Sequence, residues 1–165
     1  MSETQMRKPQ PLRKPVRGPV RGKDTVTILR EVLRNQGADD QMFEKFLSDL
    51  AQTVQAGLAK PIQIGNTVFL AQHFTSNGQM LPQGEIEIHM FSAEPFSETA
   101  KRMMVLPNTL RELGYQKFTT FVQDKAMANL LLQMQKKIGV QGTLRQDVQM
   151  IGQRMQPVYR AEAFL

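Results

Sequence analysis

The chain has 165 residues, 41% of them hydrophobic, no cysteine and a formal net charge of +6. That length allows one domain with an appendage and a substantial core, and the lack of cysteine excludes a disulfide framework, a thiolate metal site and a thiol nucleophile. No apolar run reaches the length of a membrane span, and the charged N-terminus lacks the apolar stretch of a secretory signal, so no membrane partner is expected.

The positive charge is concentrated at one end. Residues 1–23 carry seven basic side chains (Arg7, Lys8, Arg13, Lys14, Arg17, Arg21 and Lys23) against the single acid Glu3, while residues 24–165 carry 14 basic and 14 acidic groups. The chain therefore divides into a basic arm, 1–23, and a single α/β domain, 24–165, with a helical pair at 24–59 and a sheet with two helices at 60–165. Within the arm, Pro-Val-Arg-Gly occurs in tandem at 15–18 and 19–22. Its prolines exclude a helix and its few apolar groups cannot offset the entropy of ordering, so an extended, partly polyproline II ribbon is expected. Arginines on such a ribbon suit bidentate contacts to carboxylates or phosphates, which makes the seven basic residues candidate partner-binding groups. With no aromatic residue in the arm, a nucleic-acid contact would be to the backbone and salt-sensitive.

Along the domain, Asp24 or Thr25 is placed to cap a short helix with Ile28, Leu29, Val32 and Leu33 on its apolar side, and Gly37 stands where a C-terminal glycine belongs. Asp39 or Asp40 starts a second helix, along which Phe43, Leu47, Leu50 and Val54 form an apolar stripe; Pro61 ends any helical continuation. Both helices read as core packing without chemistry. From Ile62 the period changes, and 67–74 is rich in strand formers before the turn signal Ser76-Asn77-Gly78. At 85–91, Ile86, Ile88 and Met90 alternate with Glu87, His89 and Phe91, a strand placed to pair antiparallel with 67–74. A helix at 96–113 carries Met103, Leu106, Leu110 and Leu113, with Pro107 inside the stripe predicting a kink or a break. A short strand at 118–122, a helix at 126–138 and strands at 144–150 and 158–164 complete the order, the last two separated by Gly152 and Pro157.

Glu87 and His89 share one face of their strand, where a carboxylate or imidazole can take a proton from an amine through water; the alternative is an ordinary polar face with His89 hydrogen-bonded in place. His73 has no neighbouring candidate ligand, so no metal is expected.

The order of two helices, hairpin, strand, helix, strand, helix, strand and strand over 24–165 resembles the GCN5-related N-acetyltransferase (GNAT) fold. The resemblance implies a mixed, mostly antiparallel central sheet flanked by helices, here preceded by the basic arm. It extends to Asn129 and Gly139, which stand at the mutual spacing the family uses in the helix after its fifth strand, making Asn129 a candidate for positioning the cofactor. Two positions depart from the family pattern. Gln135 stands where the family places the tyrosine that protonates the departing thiolate, and an amide cannot do that work. The loop that in the family cradles the coenzyme pyrophosphate on backbone amides reads Ser92-Ala93-Glu94-Pro95-Phe96-Ser97-Glu98, with no glycine and two carboxylates, followed by Lys101 and Arg102.

On these grounds no cofactor is expected. The function expected is that of a non-catalytic structural or interaction protein in a larger assembly, such as a bacteriophage virion. It would dock to other subunits through its body and arm, and would be located in the virion or the host cytoplasm. The alternative is an acyl-coenzyme A-dependent N-acyltransferase with Glu87 or His89 as base, and a second is a nucleic-acid-binding protein without sequence preference.

Overall fold

A computed structural model describes residues 22–151 and 153–165. The chain runs α1 (Thr25–Asn35), α2 (Asp40–Gln55), β1 (Ala59–Ile64), β2 (Thr67–Gln72), β3 (Glu85–Ser92), α3 (Phe96–Glu112), β4 (Lys117–Val122), α4 (Lys125–Lys137), β5 (Gln141–Ile151) and β6 (Arg154–Phe164). The strands form one sheet in the order β1-β2-β3-β4-β6-β5, in which only β3 and β4 are parallel. The expected mixed, mostly antiparallel α/β architecture is what the chain adopts.

Local chemistry sets the boundaries. Asp24, Asp39 and Asp124 each accept a hydrogen bond from a first-turn amide at 2.8 Å and so cap α1, α2 and α4. The 85–91 alternation gives β3 two different faces. Ile86 and Ile88 enter the main core with Phe69, Met103, Leu110, Phe118 and Leu131, beneath α3 and α4, whereas Phe91 packs on the opposite face with Ile28, Leu29, Phe43 and Val68 of the α1–α2 layer. That second layer packs chiefly on β1 to β3.

Three expectations are corrected. Pro61 does more than end a helix: it lies inside β1, opposite Leu70, and is tolerated because β1 is an edge strand whose outer amides need no partner. Pro107 causes no break, because α3 is helical throughout Phe96–Glu112 and buries that proline on its core face. Pro157 does not separate the last two strands: it lies within β6, opposite Val148, and the β5–β6 ladder runs from Gln141↔Phe164 to Ile151↔Arg154. Since β4 pairs with β6 only from Tyr159 onward, the position of Pro157 has β5 as its single neighbour and the missing N–H leaves no gap in a second ladder.

Candidate active site

The parallel pair of strands does not stay paired. β3 and β4 are joined from Glu85↔Lys117 to Ile88↔Thr120, although β3 continues to Ser92 and β4 to Val122. Past that point β3 remains with β2 as far as Thr67↔Ser92, and β4 with β6 as far as Val122↔Tyr159, so the two halves of the sheet separate at their C-terminal ends. Under the gap, on the α3–α4 side, lies an apolar cavity of about 100 Å³ lined by residues including Ile88, Met90, Met103, Thr120, Val122 and Leu131. On the other face, beyond the reach of α1 and α2, lies a larger polar cavity of about 490 Å³ whose lining includes Ser76, Glu87, Phe121, Asp147, Gln149 and Arg160. Phe121 lines both.

Glu87 is the buried ionisable group of the larger cavity, with 4% of its side chain exposed. Ser76 Oγ donates to its Oε1 at 2.6 Å and His89 Nε2 donates to the same oxygen at 2.9 Å. Burial pushes the Glu87 carboxyl up, but the hydrogen bonds from His89 and Ser76 outweigh it and hold the group below the usual glutamate range. The carboxylate is therefore ionised at neutral pH and fixed in orientation. His89 is one-third exposed and holds Glu87 in place; it does not line the cavity. Of the alternative expectation, an ordinary half-buried polar face with His89 hydrogen-bonded in place, the His89 bond is present, while Glu87 is more deeply buried, at 3% exposed.

The loop between β3 and α3 also differs from its sequence reading. Glu94 does not project over the start of α3. Its carboxylate accepts from Arg102 Nη2 at 2.9 Å, from Arg102 Nε at 3.1 Å and from Thr67 Oγ1 at 2.8 Å. These bonds, that to Arg102 first, hold its carboxyl below the usual range. Glu98 is paired with Lys101 at 3.0 Å and with Arg102 at 3.7 Å. Gly65 makes room for this knot: its φ is +62° and a Cβ there would run into the Arg102 guanidinium. The α3 N-cap, Pro95, makes no side-chain capping bond, so among the described residues the amides of Phe96 and Ser97 have neither a helical nor a side-chain acceptor. A helix end with free amides and neutralised carboxylates suits an anionic group.

Because the folded pKa values of Glu94 and Glu87 lie below the ordinary 4.5, their stabilisation is complete above that pH and is lost as pH falls through the depressed values. Glu94→Gln should lower the melting temperature by several degrees at pH 7, and the gap to wild type should close on acidification below about pH 4.5. Thermal melts across that range test this, and a constant gap would refute it.

The other sequence candidates fall elsewhere. Asn129 is exposed on α4, on the opposite side of the sheet from Glu87, and lines neither cavity. Gln135 donates to the Glu162 carbonyl at 3.4 Å and ties α4 to β6 across Gly142, where a Cβ would strike both residues. The arm residues Arg7, Lys8, Arg13, Lys14, Arg17 and Arg21 lie outside the described residues; Lys23 is described, and its Nζ is 2.8 Å from Glu31. Phe121, Asp147, Gln149 and Arg160 escaped the sequence reading, since only the strand registers bring β4, β5 and β6 beside Glu87.

The parallel pair that parts within a mostly antiparallel sheet, with helices in the order found here, is the GNAT-like fold. No protein-family model and no curated protein sequence matches the chain. Among solved structures, a ribosomal-protein-S5-alanine acetyltransferase from Vibrio fischeri gives a TM-score of 0.55 at 9% identity, covering 84% of this chain and 86% of that one. A spermidine N-acetyltransferase chimera from Vibrio cholerae and hSSAT gives 0.57 at 8% identity over 87% and 95%. RimJ of Mycobacterium smegmatis, solved in complex with CoA-disulfide, gives 0.55 at 13% identity over 87% and 78%. The expectation of a non-catalytic assembly protein of bacteriophage type is corrected by these neighbours, which include a ribosomal-protein acetyltransferase and a spermidine acetyltransferase. No helix among the described residues is long and apolar enough to cross a membrane.

Proposed function

We propose that the chain is an acyl-coenzyme A-dependent N-acyltransferase that binds its amine acceptor in the cavity holding Glu87. The observation that carries this reading is the parting of β3 and β4 after Ile88 and Thr120, which sets an apolar cavity and a carboxylate-bearing cavity on either side of one gap, both bordered by Phe121. The residues present fit an acyl-coenzyme A. Ile88, Met90, Met103 and Leu131 would flank the thioester end of its arm, and the Phe96 and Ser97 amides would meet its phosphates. When bound, it would supply an acyl thioester: the acyl carbon would bond to the amine nitrogen as the C–S bond breaks, and the sulfur would leave as a thiolate that takes its proton from water, in balance with the proton the nitrogen loses.

Glu87 attracts the ammonium form of the acceptor and, once the free amine attacks the acyl carbon, accepts the proton that nitrogen sheds, directly or through water, while Ser76 and His89 fix the carboxylate. The apolar lining of the smaller cavity and the ring of Phe121 limit water at the gap. Titrating acetyl-coenzyme A calorimetrically into the full-length protein should give micromolar binding. No heat at millimolar ligand would overturn the reading.

A further inference from the structure

The two edges of the sheet differ. β1, at one edge, is six residues long and carries Lys60 and Pro61, residues that discourage a further strand from pairing. β5, at the other, is 11 residues long, holds no lysine or proline, and has no strand on its outer side among the described residues. Val148 stands opposite Pro157, which has no N–H to exchange, and the Val148 N–H goes instead to the Asp147 carboxylate at 2.8 Å. Val148 is thus in a non-hydrogen-bonded pair with β6, and the even-numbered residues of β5 direct their N–H and C=O groups outward. Apolar side chains share this stretch: Val148 is 57% exposed and Met150 58%.

The charged residues of β5 are one of each sign, Arg145 and Asp147, two residues apart and therefore on one face. Arg145 is exposed, lies opposite Arg160 and meets no carboxylate among the described residues. We propose that β5 pairs antiparallel with β5 of a second copy of this chain, about a two-fold axis at Gln146. Gln146 is the midpoint of Gln141–Ile151, so this register pairs the strand over its whole length. It also sets Arg145 opposite the partner's Asp147, twice; an axis at Arg145 or at Asp147 would set like charges face to face. Arg145 and the partner's Asp147 form a non-hydrogen-bonded pair, with Cα atoms about 4.5 Å apart, where side chains approach most closely. The Val148 N–H passes from its own Asp147 to the partner's Leu144 carbonyl, which frees that carboxylate oxygen for the arginine. Met150 falls opposite the partner's Gly142, which has no side chain in its way. Because Asp147 lines the Glu87 cavity, the partner's Arg145 joins the cavity wall. The end of the hairpin, a two-stranded ribbon in the single chain, gains a third strand. The pairing does not depend on the acyltransferase reading.

Sedimentation equilibrium of the full-length protein should give a dimer at micromolar concentration. Arg145→Glu and Asp147→Lys should each weaken it at least about tenfold, since either substitution places two like-charged pairs across the axis. An equimolar mixture of the two variants should restore the dimer, because one then supplies only carboxylates at these positions and the other only cations. Melting curves establish that both variants fold. The absence of cysteine allows a second test of the register. Gln146→Cys should cross-link to its own copy under mild oxidation, the Cα atoms of that hydrogen-bonded pair being about 5.5 Å apart, within disulfide reach. Thr143→Cys should not, since its symmetry mate lies about six residues along the ladder, about 20 Å away. A monomeric wild type, a dimer that both charge variants leave intact, a mixture that stays monomeric, or cross-linking at position 143 in place of 146 overturns the inference. Open-ended growth overturns it in favour of β1 of another copy as the occupant of the edge, and loss of the dimer on deleting residues 1–21 overturns it in favour of the arm.

Discussion

Glu87→Gln should lower kcat/KM for amine acetylation by about 10²–10⁴-fold, the range over which a positioned proton acceptor contributes. The substitution keeps side-chain shape, and the amide oxygen still accepts from Ser76, so the fold should survive and the loss should appear in chemistry. A carboxylate held below its usual pKa is a weak base toward a free ammonium of pKa about 10. It is adequate, however, for an amine that becomes strongly acidic as its nitrogen bonds to carbon. The pH profile follows from this. Above about pH 5 the Glu87 carboxylate is already ionised, so activity should keep rising through neutrality as the acceptor ammonium deprotonates. Steady-state kinetics of the purified variant decide the matter: activity within a few-fold of wild type would remove Glu87 from the chemistry.

The largest stability effect is expected at Phe69. Its ring is 1% exposed at the centre of β2, packs into the main core with Ile86, Ile88, Met103 and Leu106, and also lines the apolar cavity beneath the strand gap. Phe69→Ala should cost about 3–5 kcal/mol, from lost transfer free energy together with the hole left behind. A neighbouring cavity makes the upper part of that range more apt, because the hole enlarges an existing void instead of being filled by collapse. Urea denaturation should show this as a lower midpoint at unchanged slope. A shift below about 1 kcal/mol would mean the core repacks around the site, and the cavity would then be more compliant than its lining suggests.

The helices and most strands were legible because their signals are local. Asp24, Asp39 and Asp124 precede apolar stripes, and the alternation at 85–91 fixes which side chains of β3 go beneath α3 and which go to the α1 layer. Glu87 and His89 stood out because they are adjacent on one face of that strand. What stayed hidden was non-local. Nothing in the sequence around Glu94 says that Arg102 and Thr67 will turn its carboxylate away from the helix start. Nothing around Arg160 says that β6 will insert between β4 and β5 and bring it onto Phe121. Pro61 and Pro157 misled for the same reason, since the cost of a proline in a strand depends on which side has a neighbour, a property of the sheet. The loop at 92–98, read by residue type alone, sets two carboxylates where phosphates would sit, because Thr67 and Arg102, which hold Glu94, lie outside it.

The β5–β6 hairpin outruns the sheet that anchors it. Its last stretch, from Asp147 opposite Val158 to Ile151 opposite Arg154, has no third strand alongside, and it contributes Asp147, Val148, Gln149, Met150 and Met155 to the cavity wall. A two-stranded ribbon bends far more easily than a six-stranded twisted sheet. The wall can therefore yield to molecules of different girth by flexing at Gln146 and Tyr159, while the packed body behind it keeps its shape. Asp147, Gln149 and Met155 therefore border the cavity from a compliant overhang, while Glu87 and Arg160 border it from the rigid frame.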